Sequence, residues 1–200
     1  MVHLDGSSAK HYRPVARLLH WLVAGLILVQ LTTGVIMVYE GPEQSILERL
    51  TNALRLWDVH KLLGLVILTL ILIRLAYRVT RGTPPDEPSL EIWQREASHL
   101  VHAWIYFLLI LIPMLGWIGI SLYPAVVVFD HITIPALMEP NRPMSEAVLT
   151  AHVIAVITLV VLLAIHIGAA FFHHFVRRDG VLRRMLPGLS ERRPSDSQPL

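Results

Sequence analysis

The chain has 200 residues, of which 54% are hydrophobic, and its mean hydropathy is +0.56. This apolar content exceeds the roughly 45–50% of soluble domains and indicates a membrane protein. The formal net charge is only +2, and there is no cysteine, which excludes disulfides, thiolate metal sites and iron–sulfur clusters. Eleven histidines remain as the main source of metal ligands.

Four apolar stretches are each long enough to cross a bilayer, which takes about 20 helical residues. In chain order they cover about residues 18–39, 59–77, 100–123 and 148–172. We therefore predict an all-α fold, an integral membrane four-helix bundle that forms a single domain over residues 1–190. The Pro- and Ser-rich tail, residues 191–200, is predicted to be disordered.

The positive charges predict the orientation of this bundle. One side holds only four of the 17 Lys and Arg residues, namely Arg49, Arg55, Lys61 and Arg142. The other thirteen (17 minus 4) lie in the termini, in the loop between the second and third stretches, and at the adjoining helix ends. Because positive residues are retained on the cytoplasmic side, we predict that both termini are cytoplasmic.

Two histidines stand in the fourth stretch, within AHVIAVITLVVLLAIH, residues 151–166. His152 and His166 are fourteen residues apart, so they share one helical face to within about 40° and lie about 21 Å apart along the axis. A neutral imidazole in lipid costs energy unless its nitrogens find partners. Each histidine therefore needs a partner at its own depth, one near the outer edge of the membrane and one near the inner edge.

Two more histidines supply such partners. His20, in RLLHWL, opens the first stretch near the inner side, and His60, in WDVHKLLG, opens the second near the outer side. The depths predict two pairs, His20 with His166 and His60 with His152. Paired imidazoles are axial ligands of haem iron, and two such sites would carry electrons across the membrane. The alternatives are a metal-ion or proton transporter with a histidine relay, and a passive anchor subunit.

Arg74 lies fourteen residues after His60, which places its guanidinium near the depth of the inner pair. It is a candidate contact for a haem propionate, because a guanidinium binds a carboxylate through two hydrogen bonds. The alternative is a snorkelling arginine that anchors the helix end. Gly64 and Gly168 leave room either for a flat ring or for close helix packing.

The chain resembles the bacterial cytochrome b561 family over roughly residues 11–187. The segments that carry the resemblance are RLLHWL, HKLLG, HVIAVITLVVLLAIH and HHFVRRDGVLRRMLP. The last segment is the most specific, and its matches are His173, His174, Asp179, Leu182, Arg184, Met185 and Pro187.

This resemblance implies a multi-pass protein of the bacterial cytoplasmic (inner) membrane with two non-covalent b-type haems. The iron ligands that it implies are His20 and His166 for the inner haem and His60 and His152 for the outer haem, in agreement with the depth pairing. It further implies electron exchange with ubiquinone or another quinone in the membrane. Oxidation of superoxide at the outer face is an activity associated with the family.

Four further histidines lie near the inner side, namely His99, His102, His173 and His174. His102, His173 and His174 are candidates for a quinone pocket beside the inner haem, because quinone reduction needs protons that a histidine can relay. The alternative is that each is an interfacial residue in contact with lipid headgroups. His102 also lies at a depth like that of His20, so depth alone does not exclude it as a ligand. The remaining loop histidines are His3, His11 and His131.

The outer segments, residues 40–61 and 124–147, carry seven acidic against four basic side chains, a net charge of −3. That field is poor for collecting superoxide, although Arg55 and Lys61 near His60 form a local cationic patch. We therefore expect quinone-linked electron transfer with an outer donor, superoxide oxidation being the alternative. An ion transporter would more often carry carboxylates inside its membrane spans. None of the four predicted spans has an Asp or Glu near mid-membrane. Lipid is an expected partner and nucleic acid is not.

Overall fold

A computed structural model describes residues 12–39, 49 and 52–186 of the chain. Within these residues, four helices are long and apolar enough to cross a membrane. The predicted all-α four-helix membrane bundle is therefore confirmed. The predicted disordered tail, His3 and His11 lie outside the described residues.

The four helices extend beyond the predicted apolar stretches. They are α1 (Pro14–Val38), α2 (Leu56–Arg81), α3 (Ile92–Leu122) and α4 (Arg142–Phe172). Each helix begins before its predicted apolar stretch, and polar residues cap the start of α3 and of α4. Glu91 and Gln94 form a capping box at the start of α3. The side chain of Asn141 caps α4 by accepting a hydrogen bond from the amide of Met144 at 3.2 Å.

The helices pack unevenly around the bundle. α4 packs along α3, α1 packs along α2, and α2 packs along α3. No Cα atom of α4 lies within 8 Å of a Cα atom of α1 or α2, so α4 stands apart from both. A buried apolar cluster joins the middle of all four helices, with members Val23, Ile27, Leu68, Ile71, Leu108, Leu109, Ala155 and Leu159.

A short hairpin closes the outer end between α3 and α4. Its strands β1 (Val127–Val128) and β2 (Ile132–Thr133) pair antiparallel, Val128 opposite Ile132. The hairpin is held on α2 by the carboxylate of Asp58, which accepts a hydrogen bond from the amide of Phe129 at 3.0 Å.

The chain after α4 turns back under the inner end. His173–Arg177 form a π-helical turn, and we call residues 173–186 the C-terminal strap. Arg17 donates a hydrogen bond to the carbonyl of Leu186 at 2.9 Å, and Trp21 donates one to the carbonyl of Met185 at 2.8 Å. Arg184 donates to the carbonyl of Pro85 at 2.5 Å, in the α2–α3 loop. The strap therefore ties α1 and that loop together.

Candidate functional site

Functional side chains lie at two levels of the bundle. On every helix, two residues fourteen positions apart face the interior, one at each level. This spacing is nearly four helical turns, so it returns to the same face about 21 Å further along the axis. The outer level contains Gly34, His60, Gly116 and His152, and the inner level contains His20, Arg74, His102 and His166.

The outer level brings together the predicted pair His60 and His152. Their ring centres are 6.4 Å apart, and they reach towards each other from α2 and α4. A Cβ atom at Gly34 would lie 3.4 Å from Cε1 of His60, and one at Gly116 would lie 3.4 Å from Cε1 of His152. Each imidazole therefore lies against the bare backbone of a neighbouring helix, where a larger side chain would displace it.

Both outer imidazoles make a contact through Nδ1. Nδ1 of His60 is 3.3 Å from Oγ1 of Thr33, and Nδ1 of His152 is 2.9 Å from the carbonyl oxygen of Ile112. A carbonyl oxygen only accepts, so His152 carries its proton on Nδ1 and donates it. Its other ring nitrogen, Nε2, is left with a lone pair.

The inner level brings together the predicted pair His20 and His166, whose ring centres are 6.3 Å apart. Arg74 lies beside them, its Nη2 3.1 Å from Nδ1 of His20, while its guanidinium stacks over Tyr106 at 5.1 Å from the ring centre. A guanidinium only donates, so Nδ1 of His20 accepts. In this arrangement the proton of His20 is on Nε2, the reverse of His152.

His102 is a third imidazole of the inner level. Its ring centre is 5.0 Å from that of His166, and its Nδ1 donates to the carbonyl oxygen of Ser98 at 2.6 Å. The structure therefore places His102 within the inner cluster, in contact with His166. This position agrees with the expectation that depth does not separate it from the ligand candidates.

The two predicted pairs have the spacing that an axially ligated iron requires. An imidazole nitrogen binds a metal ion at about 2.0 Å and lies about 1.1 Å from its ring centre, so two axial imidazoles have ring centres about 6 Å apart. The separations of 6.3 and 6.4 Å fit this value, whereas the 5.0 Å between His102 and His166 is too short. Both fitting pairs also span the faces where α4 stands apart from α1 and α2.

The two histidines of the strap differ in their surroundings. His173 is buried, and its Nδ1 lies 2.5 Å from Oδ2 of Asp179, also in the strap. His174 is half-buried, and its Nδ1 has no hydrogen-bond partner within the described part of the chain. A shallow groove of about 220 Å³ at this end is lined by Ala103, Trp104 and Phe107, and none of the predicted quinone-pocket histidines lines it. His131 lies in the hairpin loop, as expected.

Two of the outer cations, Arg55 and Lys61, face neighbouring carboxylates. Arg55 donates two hydrogen bonds to Asp130, at 2.6 and 3.0 Å, and one to Asp58 at 2.9 Å. The hydrogen bonds from Arg55 lower the pKa of Asp130, and the two carboxylates raise the pKa of Arg55, so both stay charged at neutral pH. Nζ of Lys61 is 3.6 Å from Oδ1 of Asp58. The expected cationic patch of Arg55 and Lys61 is therefore wrong, because both charges face carboxylates.

The glycines that face the imidazoles are distinct from Gly64 and Gly168, which the sequence offered as room for a flat ring or for close helix packing. A Cβ atom at Gly64 would meet only Nε2 of Gln30, at 3.5 Å, and one at Gly168 would meet nothing within 4 Å. Gly34 and Gly116 are the glycines that lie against the imidazoles. The signal that identifies them is spacing, since each lies fourteen residues after an inner-level histidine, His20 or His102.

The fold and this site define a class of protein. It is a four-helix membrane bundle with two histidine pairs at different depths along the helix axes. Each pair is suited to bind a planar metallocofactor between its two rings. The same residues 12–39, 49 and 52–186 contain no group of three or more His, Cys, Asp or Glu side chains placed to hold a bare metal ion.

Comparison with known proteins identifies the family. The sequence profile described as prokaryotic cytochrome b561 matches residues 11–188. Cytochrome b561 homolog 1 of Escherichia coli (strain K12) is 26% identical over 171 residues, covering 84% of this chain and 93% of that protein. Cytochrome b561 homolog 2 of the same strain is 26% identical over 185 residues, covering 90% and 93%. A probable superoxide oxidase CybB of Yersinia pestis is 25% identical over 129 residues, covering 64% and 73%.

The chain therefore belongs to the prokaryotic cytochrome b561 family, and the predicted family is confirmed. It is a bacterial membrane protein that functions in transmembrane electron transfer. Membership of the family implies a b-type haem cofactor.

Proposed function

We propose that the protein carries electrons across the bacterial cytoplasmic (inner) membrane through two b-type haems. His60 and His152 hold the outer haem, and His20 and His166 hold the inner one. The observation that carries the proposal is the pair of ring separations, 6.4 and 6.3 Å, at two levels of one bundle. Each haem would be held by one imidazole from each of two helices, and it would supply a one-electron redox centre.

The surrounding residues prepare each pair for its ligand role. At the outer level, His152 keeps its Nε2 lone pair available because the Ile112 carbonyl takes its Nδ1 proton. At the inner level, Arg74 contacts His20 through Nδ1, so ligation through Nε2 requires Arg74 to release this imidazole. The freed guanidinium then lies beside the inner pair, where it is able to bind a propionate.

The proposed ligands are tested by removing them one at a time. His60→Ala and His152→Ala should each abolish the outer haem and retain the inner one, reducing the haem content from two to one per chain. His20→Ala and His166→Ala should do the converse, because the apolar cluster separates the two levels. Pyridine haemochrome analysis with redox titration measures both. His99→Ala, at an exposed histidine paired with Asp86, is the matched control.

One outcome would reassign the inner pair. If the His20→Ala protein keeps both haems and the His102→Ala protein loses one, His102 is the ligand. The 5.0 Å between the ring centres of His102 and His166 would then not exclude this pair. If the wild-type protein shows no haem band in its reduced-minus-oxidised spectrum, the redox function fails. The histidine-based metal-ion or proton transporter would then take its place.

We propose that the quinone partner binds at the inner side. His102 belongs to the inner cluster, and His174 has a buried Nδ1 with no partner among the described residues, so both are candidates to move protons to a quinone. His173 is already engaged with Asp179, so we rank it below the other two. None of these histidines lines the groove at Ala103, Trp104 and Phe107, so the groove does not support an inner-side quinone site.

Quinone exchange should depend on these two histidines. His102→Ala and His174→Ala are expected to slow electron exchange between haem and a soluble ubiquinone analogue about tenfold each, roughly 1.4 kcal/mol of barrier, because a proton relay is lost. Both haem spectra should be preserved. Stopped-flow kinetics measures the rate. Wild-type kinetics in both variants would remove the basis for an inner-side quinone site.

Superoxide oxidation, with ubiquinone as the electron acceptor, is the second candidate function. The similarity to a probable superoxide oxidase CybB of Yersinia pestis favours it. The outer charges do not favour it, since Arg55 and Lys61 both face carboxylates and an anion is repelled by a net negative surface. A superoxide pulse separates the candidates: rapid reduction of the haems supports superoxide as the donor, and unreduced haems under excess superoxide require another outer donor.

A further inference from the structure

Thr33 is a buried hydroxyl that contacts a proposed iron ligand. Its Oγ1 lies 2.9 Å from the carbonyl oxygen of Gln30, one turn earlier in α1, and 3.3 Å from Nδ1 of His60 in α2. A carbonyl oxygen only accepts, so the single proton of the hydroxyl is committed to Gln30. The hydroxyl has no second proton to offer to His60.

The direction of the second hydrogen bond follows from that commitment. Since Oγ1 of Thr33 can only accept from His60, the proton of the imidazole must be on Nδ1. The lone pair is then on Nε2, the nitrogen that remains for a metal. The geometry of one threonine thus selects one of the two tautomers of a neutral histidine.

The next residue in α1 holds the same ring. A Cβ atom at Gly34 would lie 3.4 Å from Cε1 and 3.9 Å from Nδ1 of His60, so the imidazole lies against the backbone there. Thr33 and Gly34 together determine the depth and the rotation of the ring. At the other outer imidazole, the Ile112 carbonyl and Gly116 provide the same two elements, an acceptor for Nδ1 and a bare backbone.

We propose that Thr33 is a positioning residue for the outer haem, acting through His60; this rests on the proposed function. By accepting the Nδ1 proton, it keeps Nε2 of His60 available to iron and makes the imidazole a stronger electron donor. A stronger donor favours the ferric over the ferrous state, which lowers the midpoint potential of the outer haem. Removal of the hydroxyl should therefore raise that potential.

Three variants of the full-length protein test this role. Thr33→Val keeps the branched shape and removes the acceptor, whereas Thr33→Ser keeps the acceptor. Thr32→Val is the matched control, because the hydroxyl of Thr32 also donates to a carbonyl one turn earlier, that of Leu28 at 2.8 Å, but is exposed on the outside of α1. The readouts are haem content, the midpoint potential of each haem, and the low-spin ferric EPR spectrum.

We expect Thr33→Val to shift the one-electron equilibrium of the outer haem at least threefold towards the reduced state, about 28 mV at 59 mV per tenfold change. Its EPR signal should change, and the inner haem should not. Thr33→Ser and Thr32→Val should match the wild type. Loss of the outer haem in Thr33→Val alone, with rescue in Thr33→Ser, supports the same role.

Two results would overturn the inference. One is a Thr33→Val protein with both haems and with wild-type potentials and EPR spectrum. The other is a Thr33→Ser protein as impaired as Thr33→Val, which would indicate packing and not hydrogen bonding. Absence of haem from the wild-type protein is a different failure, because it removes the proposed function itself.

Discussion

At the residue scale, the histidines are distinguished by the partners of their ring nitrogens. His152 and His102 donate from Nδ1 to backbone carbonyls, and His20 accepts at Nδ1 from an arginine. These partners determine which nitrogen has a free lone pair, and thus which imidazole is ready to bind iron through Nε2. The proposed outer ligands need no rearrangement to bind iron, whereas at the inner level Arg74 must first separate from His20.

Gly116 should tolerate alanine but not valine. A Cβ atom there would lie 3.4 Å from both Cε1 and Nδ1 of His152, an ordinary contact, so Gly116→Ala should keep both haems. The two methyl groups of valine would push the imidazole away and break its 2.9 Å bond to Ile112, at an overpacking cost of about 1–3 kcal/mol. Haem content should fall from two to one per chain, with the outer haem lost.

The matched control for this prediction is Gly25→Val, at an exposed glycine of α1. It makes the same change at a glycine where an added Cβ meets nothing within 4 Å. It should keep both haems. Two haems in Gly116→Val, with the wild-type spectrum, would show that the imidazole does not need the bare backbone of α3.

At the element scale, the loops decide how the helix ends are held. The hairpin is fixed to α2 by Asp58 and by Arg55, which reaches Asp130 across 75 residues of chain. The C-terminal strap is fixed by its own buried pair, His173 and Asp179. The strap motif thus has a structural role that is independent of any contact with quinone.

Asp179→Ala should loosen the strap. Asp179 accepts from His173 and, through Oδ1, from the amide of Val181 at 3.1 Å, and the side chains of Asp179 and His173 are only 7% and 11% exposed. Leaving a buried partner unsatisfied costs about 1–3 kcal/mol. Hydrogen exchange of residues 179–186 should become at least tenfold faster, about 1.4 kcal/mol in opening free energy.

Asp86→Ala provides the comparison for the strap. Asp86 also contacts a histidine, His99, at 3.2 Å, but the two side chains are 44% and 54% exposed. A surface pair of this kind contributes about 0–1 kcal/mol, so exchange in the strap should stay near the wild-type rate. Equal protection in the Asp179→Ala and Asp86→Ala proteins would contradict the structural role of the buried pair.

At the scale of the whole molecule, the bundle separates two functional levels with an apolar middle. The eight residues of the buried cluster lie between the levels on all four helices. They exclude water and ions from the space between the two pairs. The proposed quinone-linked electron transfer also requires one orientation of the bundle in the membrane. The strap and the inner level must face the cytoplasm.

The orientation is open to a direct test, because the chain has no cysteine of its own. Glu139→Cys, exposed after the hairpin, should react with a membrane-impermeant maleimide added to intact spheroplasts. Thr83→Cys, exposed in the α2–α3 loop, should react only after the membrane is opened. Both variants should label equally in detergent. Labelling of Thr83→Cys alone in intact spheroplasts would reverse the assignment of the two faces.

The sequence by itself determined the four helices, the two depths and the pairing of the histidines. These features depend on distance along a helix, and hydropathy and a fourteen-residue spacing encode that distance directly. The same spacing also marks Gly34 and Gly116, whose significance became clear only when the imidazoles were seen against them.

Only the tertiary structure decided which hydrogen-bond and ion-pair partners the histidines and the charged side chains have. Thr33 meets His60 and the Ile112 carbonyl meets His152 because neighbouring helices pack in one particular register. Arg55 is neutralised by Asp130 because the hairpin folds back over α2. Hydropathy reports which residues are apolar and not which helix faces which, so hydrogen bonds and ion pairs between distant segments follow from packing alone.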